Sequence, residues 1–166
     1  FYFTACRHVG YKNLDLLVKA FNKMPDKKLY IAGEGPQTRK LKEMAKTNIV
    51  FLGNISREKL RDNMQAAKAF LYAAIEDFGI VMVESLAAGT PVIAYAKGGA
   101  VDIISGAPSN KKVGLLFAEQ TVAAISEAVA IFEKDQKKFT KSNVQARSRR
   151  FSCELFMKEF LKICAS

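Results

Sequence analysis

Six short apolar runs alternate with segments whose apolar residues recur at helical spacing, and this alternation constrains the chain more than any other feature. The runs are Tyr2 to Ala5, Lys28 to Ala32, Ile49 to Leu52, Ala69 to Ala73, Pro91 to Tyr95 and Gly114 to Phe117. Strands separated by helices pair in parallel, because each helix carries the chain back to the end of the sheet where the previous strand began. The pattern predicts an α/β domain, a Rossmann-like doubly wound parallel sheet of about six strands flanked by helices. Leu14, Leu17, Val18, Phe21 and Met24 share one face of a helix that Asn13 would cap and Pro25 would stop. Ser56 caps a second stripe, Leu60, Met64 and Ala67, and Val122, Ile125, Val129 and Phe132 form a third. A last helix opening at Ser152 puts Phe156, Met157, Phe160, Leu161 and Cys164 on one side. Packing against its own sheet is the expectation for that helix, and a neighbouring domain is the alternative.

A chain of 166 residues, 49% hydrophobic, is enough for one domain with a buried core. The apolar stretch from Ala66 to Ile75 is interrupted by Lys68 and falls short of the roughly 20 residues that cross a bilayer, so a soluble domain is expected. Phe1 already lies in a strand-like run, with no initiator Met and no signal-peptide pattern, which raises the expectation that more chain precedes it. Cys6, Cys153 and Cys164 are odd in number and lack a C-x-x-C spacing, so they suggest buried thiols in a reducing cytoplasm rather than a disulfide framework or a zinc site. The formal charge of +10 would draw phosphates, acidic lipid or nucleic acid. Lys134, Lys137, Lys138, Lys141, Arg147, Arg149 and Arg150 crowd one stretch against Asp135 alone. A solvated face is the ordinary reading of such a run. Holding the protein against the inner face of a membrane stays open, whereas the want of interleaved aromatics speaks against nucleic acid.

The densest chemistry lies in Ile75-Glu76-Asp77-Phe78-Gly79-Ile80-Val81-Met82-Val83-Glu84, followed by Ser85-Leu86-Ala87-Ala88-Gly89-Thr90-Pro91-Val92-Ile93. A strand ends before this segment, Gly79 allows close backbone approach where a helix begins, and the free amides there make an anion site suited to phosphate. Glu84 falls among Val81, Met82, Val83, Leu86 and Ala87, where a buried carboxylate would need donors such as ribose hydroxyls; an exposed helix glutamate is the other reading. Gly33-Glu34-Gly35-Pro36 reads as a turn closing a strand beside the cleft, since the G-x-G-x-x-G spacing fails at Thr38. Asp77 reads as a turn former and His8 as structural.

The acids eight apart, with Phe-Gly after the first and Ala-x-Gly-x-Pro-Val-Ile after the second, resemble the signature of glycosyltransferase family 4, retaining enzymes of the GT-B fold. Arg7 with Lys12-Asn13, Gly33-Glu34-Gly35-Pro36, Val50-Phe51-Leu52-Gly53, Gly98-Gly99-Ala100-Val101-Asp102 and Val113-Gly114-Leu115-Leu116-Phe117 match further family blocks in order. His8, Ala5-Cys6 and Asp102 depart from the common pattern. The resemblance implies a C-terminal donor-binding domain, with the N-terminal acceptor domain outside these residues. It implies that Arg7 and Lys12 hold the donor diphosphate in place of a metal, that Glu76 meets the transferred sugar and that Glu84 takes the ribose. The amides of Phe78, Gly79, Ile80 and Val81 would face the phosphates, Gly53 would line the base, and Gly33 and Gly35 would border the cleft. The expected reaction moves a hexose, mannose from GDP-mannose by the likeness of Glu-Asp-Phe-Gly-Ile, to a glycan or lipid-linked acceptor. Two rivals remain: a nucleotide-sugar epimerase or non-catalytic nucleotide module, which would need no acceptor, and a basic nucleic-acid-binding domain, whose affinity would collapse with salt.

Overall fold

The computed structural model of the chain describes residues 1–105, 107 and 111–164. Strands β1 (Tyr2–Ala5), β2 (Leu29–Ala32), β3 (Ile49–Gly53), β4 (Phe70–Tyr72), β5 (Val92–Tyr95) and β6 (Gly114–Phe117) form one parallel sheet in the order β3-β2-β1-β4-β5-β6. All six expected runs are strands, with no end shifted by more than one residue. Helices α1 (Leu14–Asn22), α2 (Thr38–Met44), α3 (Arg57–Ala66), α4 (Ile80–Ala88), α5 (Gly99–Ser105) and α6 (Val122–Asp135) follow the successive strands, and α7 (Lys141–Ser148) and α8 (Cys153–Cys164) end the chain.

Both faces of the sheet are covered, so neighbouring strand residues feed opposite cores. Tyr2, Leu29, Ile31, Leu71 and Ile93 pack with Leu17, Phe21 and Phe132 on one side. Phe3, Phe70, Tyr72 and Val92 pack with Met64, Met82, Leu86 and Val144 on the other. This two-sided burial is why the strands are written as continuous apolar runs rather than as alternation. Ser56 accepts the Lys59 amide at 3.3 Å and Ser152 accepts the Leu155 amide at 3.2 Å, as their cap assignments require.

Four expectations are corrected. Asn13 does not cap α1 through its side chain: it sits in the left-handed region at φ 52°, because a 3-10 turn at Gly10–Lys12 delivers the chain to the helix. Arg147 is not part of a solvated run. It is 9% exposed, its Nε donates to the Ile103 carbonyl at 2.8 Å, and a second guanidinium nitrogen donates to the Asp102 carbonyl. A cation thus meets carbonyls of α5's last turns, where the helix dipole is negative. Cys153 and Cys164 are exposed; only Cys6 is partly enclosed. Finally, α8 does not bury its apolar side on the sheet: Phe156, Met157, Phe160 and Leu161 are all exposed.

The reversal of strand order falls between β1 and β4. The chain winds outward through β2 and β3, returns to the middle, and winds the other way. At such a point the loops leaving the two central strands diverge and open a crevice at the carboxyl ends of the sheet, where doubly wound proteins place their ligands.

Candidate functional site

The loop after β1 and the loop after β4 meet at this crevice. Lys12, on the 3-10 turn, donates from Nζ to the Tyr72 hydroxyl at 2.8 Å and forms an ion pair with Glu76. The Tyr72 hydroxyl also donates to Glu76. Glu76 is held in place by its backbone, which bridges to Gly98 and accepts the Gly99 amide at 2.7 Å. Burial alone would raise the Glu76 pKa, yet the hydrogen bonds from Lys12 and Tyr72 and the lysine charge hold it below its ordinary value. The same carboxylate, together with burial, raises the pKa of Tyr72. Glu76 is therefore a carboxylate and Tyr72 a neutral phenol at neutral pH.

Gly79, at φ 75°, begins α4 in the same loop. The first helical bonds run from the Met82 and Val83 amides to the Gly79 carbonyl, at 2.9 and 3.2 Å, so the Ile80 and Val81 amides precede them and are left for an external acceptor. No acidic residue occupies the first turn of α4. Positive dipole and open amides together make a place for an anion.

On the β1–β2–β3 side a recess of about 480 Å³ is lined by Ala5, Cys6, Arg7, Gly33, Glu34, Asn54, Ile55, Leu60 and Val81. Arg7 is exposed on this wall. Burial pushes the Cys6 thiol up to about 12, which keeps it protonated and out of nucleophilic chemistry. Gly33 donates to the Gly53 carbonyl at 2.8 Å, and a Cβ on Gly35 would lie 2.6 Å from the His8 carbonyl oxygen. His8 is fully buried, with Nδ1 2.9 Å from the Thr38 hydroxyl, and burial lowers its pKa. It stitches the β1 loop to the β2 loop, a structural part as the sequence suggested.

Glu84 is exposed, one side of a shallow depression of about 360 Å³ with Arg57, Arg61 and Leu60. Met82, Ser85 and Leu86 face the core, so Ile80, Glu84 and Ala87 share the outward stripe. Leu60 lines this depression as well as the 480 Å³ recess, so the two adjoin. Phe78 and Ile80 are 81% and 69% exposed and border a larger groove, about 790 Å³, walled by Phe151, Leu155 and Phe156. Of the residues singled out from sequence, Lys12 and Glu76 touch, Arg7, Gly33 and Val81 share the adjoining recess, and Glu84 lies beyond it. Tyr72 was not anticipated; a tyrosine four residues before Glu76 at a strand end was the available signal.

The fold is a doubly wound domain with a crevice at its switch point, and comparison with known proteins says which family it belongs to. Residues 1–149 match the family Glycosyl transferases group 1, and the chain belongs to that family. It is 32% identical over 136 residues to a GDP-mannose-dependent monoacylated alpha-(1-6)-phosphatidylinositol monomannoside mannosyltransferase of Corynebacterium glutamicum, covering 73% of this chain and 34% of that protein. It is 30% identical over 118 residues to a sulfoquinovosyl transferase of Arabidopsis thaliana, covering 66% of this chain and 22% of that protein. Among solved structures, HepE from Anabaena, in complex with UDP and glucose, superposes with a TM-score of 0.83 at 22% identity, covering 100% of this chain and 48% of that one. Sucrose-phosphate synthase from Thermosynechococcus elongatus gives 0.80 at 26% identity over 99% of this chain and 46% of that one. The fold is that of GT-B glycosyltransferase domains, and the chain spans about half or less of the length of these relatives.

Proposed function

We propose that this chain is the donor-binding part of a retaining hexosyltransferase that takes mannose from GDP-mannose and passes it to a glycan or lipid-linked acceptor. The observation that carries the reading is the Lys12–Tyr72–Glu76 cluster at the mouth of α4, placed at the switch point of a chain in this family. Lys12 and Arg7 would neutralise the diphosphate as the glycosidic bond breaks, with the Ile80 and Val81 amides taking phosphate oxygens, so that charge is stabilised without a metal ion. Glu76 would accept hydrogen bonds from hydroxyls of the transferred sugar. Glu84, outside the Arg7 recess but next to it, would accept from the ribose.

Calorimetry of the chain with GDP, UDP, ADP and their mannose or glucose conjugates tests this, with Arg7→Ala and Glu84→Ala as variants. Nucleotide sugars are expected to bind, and each variant to weaken them roughly tenfold, about 1.4 kcal/mol. Unchanged affinity in both variants would remove the assignments. Acceptor groups would come from an N-terminal domain outside these residues, for which the groove between Phe78, Ile80 and α8 offers an apolar seat. Transfer is therefore expected only when that domain is present, and robust turnover in the same solutions by the chain alone counts against this part.

Three free thiols suit a reducing compartment such as the cytoplasm. No helix among the described residues is long and apolar enough to cross a membrane. With Arg147 buried, six cations of the basic stretch stay exposed, Lys134, Lys137, Lys138, Lys141, Arg149 and Arg150. They would hold the protein on acidic lipid by about 1 kcal/mol each near the surface. Vesicles of acidic lipid should bind it in low salt and release it in high salt; equal binding to neutral vesicles is the adverse result.

A further inference from the structure

Two recesses flank the start of α4, and their chemistries differ. The first is the crevice at the switch point, where the Lys12–Tyr72–Glu76 cluster offers polar groups to a ligand rich in hydroxyls. The other has the apolar side chains of Ile55, Leu60 and Val81 in its walls, surface that a heteroaromatic ring can cover. A nucleotide sugar lying across the α4 amides would put its sugar in the first and its base in the second.

At the rim of the second recess stands Glu34. Its Oε2 accepts from the Asn54 side-chain amide at 3.1 Å. No donor among the described residues occupies Oε1. A Cβ on residue 53 would stand 3.2 Å from that oxygen, so Gly53, itself at φ 66°, leaves the carboxylate its room.

We propose that Glu34 selects the base of the nucleotide, and that the base it selects is guanine. The inference rests on the donor-site reading above. A carboxylate offers only acceptors. Guanine presents two adjacent donors on one edge, the ring N1–H and the exocyclic N2 amine, which a carboxylate meets with two parallel hydrogen bonds. Uracil presents one N–H between two carbonyl oxygens that would face the anion, and adenine presents an amine beside an unprotonated ring nitrogen. Either would set a lone pair against a lone pair, and a site built to hydrogen-bond one partner rejects another most strongly by such mismatches.

The test is calorimetry of GDP, UDP and ADP with the chain and with Glu34→Gln and Glu34→Ala. The unaltered chain should prefer GDP at least tenfold over both others. Glu34→Gln should lose that preference, with GDP weakened tenfold or more and UDP or ADP unchanged or tighter, because an amide offers one donor and one acceptor. Glu34→Ala should weaken GDP and leave UDP and ADP unchanged or tighter, because both the paired acceptors and the repulsive lone pairs are gone. Glu34 is exposed, so melting temperatures near that of the unaltered chain are expected to accompany these changes. UDP or ADP binding as tightly as GDP, or GDP preference surviving in Glu34→Gln, overturns the inference while leaving the donor site in place. Failure of all three nucleotides to bind overturns the donor-site reading itself, and the inference with it.

Discussion

Replacing Lys12 by alanine is expected to cost the chain about a hundredfold in affinity for its nucleotide sugar, near 2.8 kcal/mol. The size of the effect follows from what the ammonium touches. It contacts both the Tyr72 hydroxyl and the Glu76 carboxylate, and no other cation is shown on either group among the described residues. Its loss would also leave a carboxylate in the crevice where a diphosphate has to settle, adding repulsion to lost attraction. A titration separates this from simple misfolding. In the intact protein Lys12 holds the Glu76 pKa down against burial; without it only the Tyr72 hydrogen bond opposes burial, and the Glu76 pKa should rise. The sign for stability follows. A depressed folded-state pKa contributes stability above the unfolded value, and that stability is lost as pH falls through the folded value. The melting-temperature gap between the unaltered chain and Lys12→Ala should therefore narrow on acidification below the ordinary carboxylate value of 4.5. Donor affinity within threefold of the unaltered chain would remove Lys12 from the site.

The strands were legible in the sequence almost residue by residue, and the reason is burial on both faces. A run such as Phe70-Leu71-Tyr72 can be written apolar throughout only where each side chain has a core to enter. Helices with a single buried stripe were equally plain. The helix α2 left no such trace, because Leu41 alone is buried in it. In α7 the buried pair is Val144 and Arg147, and half of that pair reads as solvent-facing charge until α5's carbonyls are placed opposite it. A candidate site can be picked out where one segment carries it, as in Glu76 to Glu84. It was not legible where a contact joins distant segments, as when Tyr72 meets Lys12 across 60 residues of chain. The α8 helix shows a further limit. Periodicity announced an apolar stripe correctly, yet periodicity says only that a face wants burial and cannot say where the burying surface lies.

Gly33→Ala is expected to destabilise the domain by about 3 kcal/mol or more, which for a chain of this size lowers the melting temperature by roughly 6 to 12 °C. Two independent costs combine at this position. Its φ of 105° is a conformation that L side chains rarely adopt, worth about 1–3 kcal/mol by itself. The added methyl would also stand 3.0 Å from the Cys6 carbonyl carbon and closer still to its oxygen. Neither neighbour is free to move away: the Cys6 amide donates to the Ala32 carbonyl at 3.2 Å, and the Gly33 amide donates to Gly53 at 2.8 Å, so β1, β2 and β3 are tied together there. The strain should also reach function, since Cys6, Arg7, Gly33 and Glu34 line one recess, and any shift that relieves the clash displaces the Arg7 wall. Gly10→Ala supplies the control. A methyl at that position meets only the end of the flexible Gln37 side chain, at 3.3 Å, and φ there lies outside the left-handed region. Thermal melting of the two variants side by side decides the matter: equal losses would mean that backbone geometry at the β2 turn is not what holds the recess in shape.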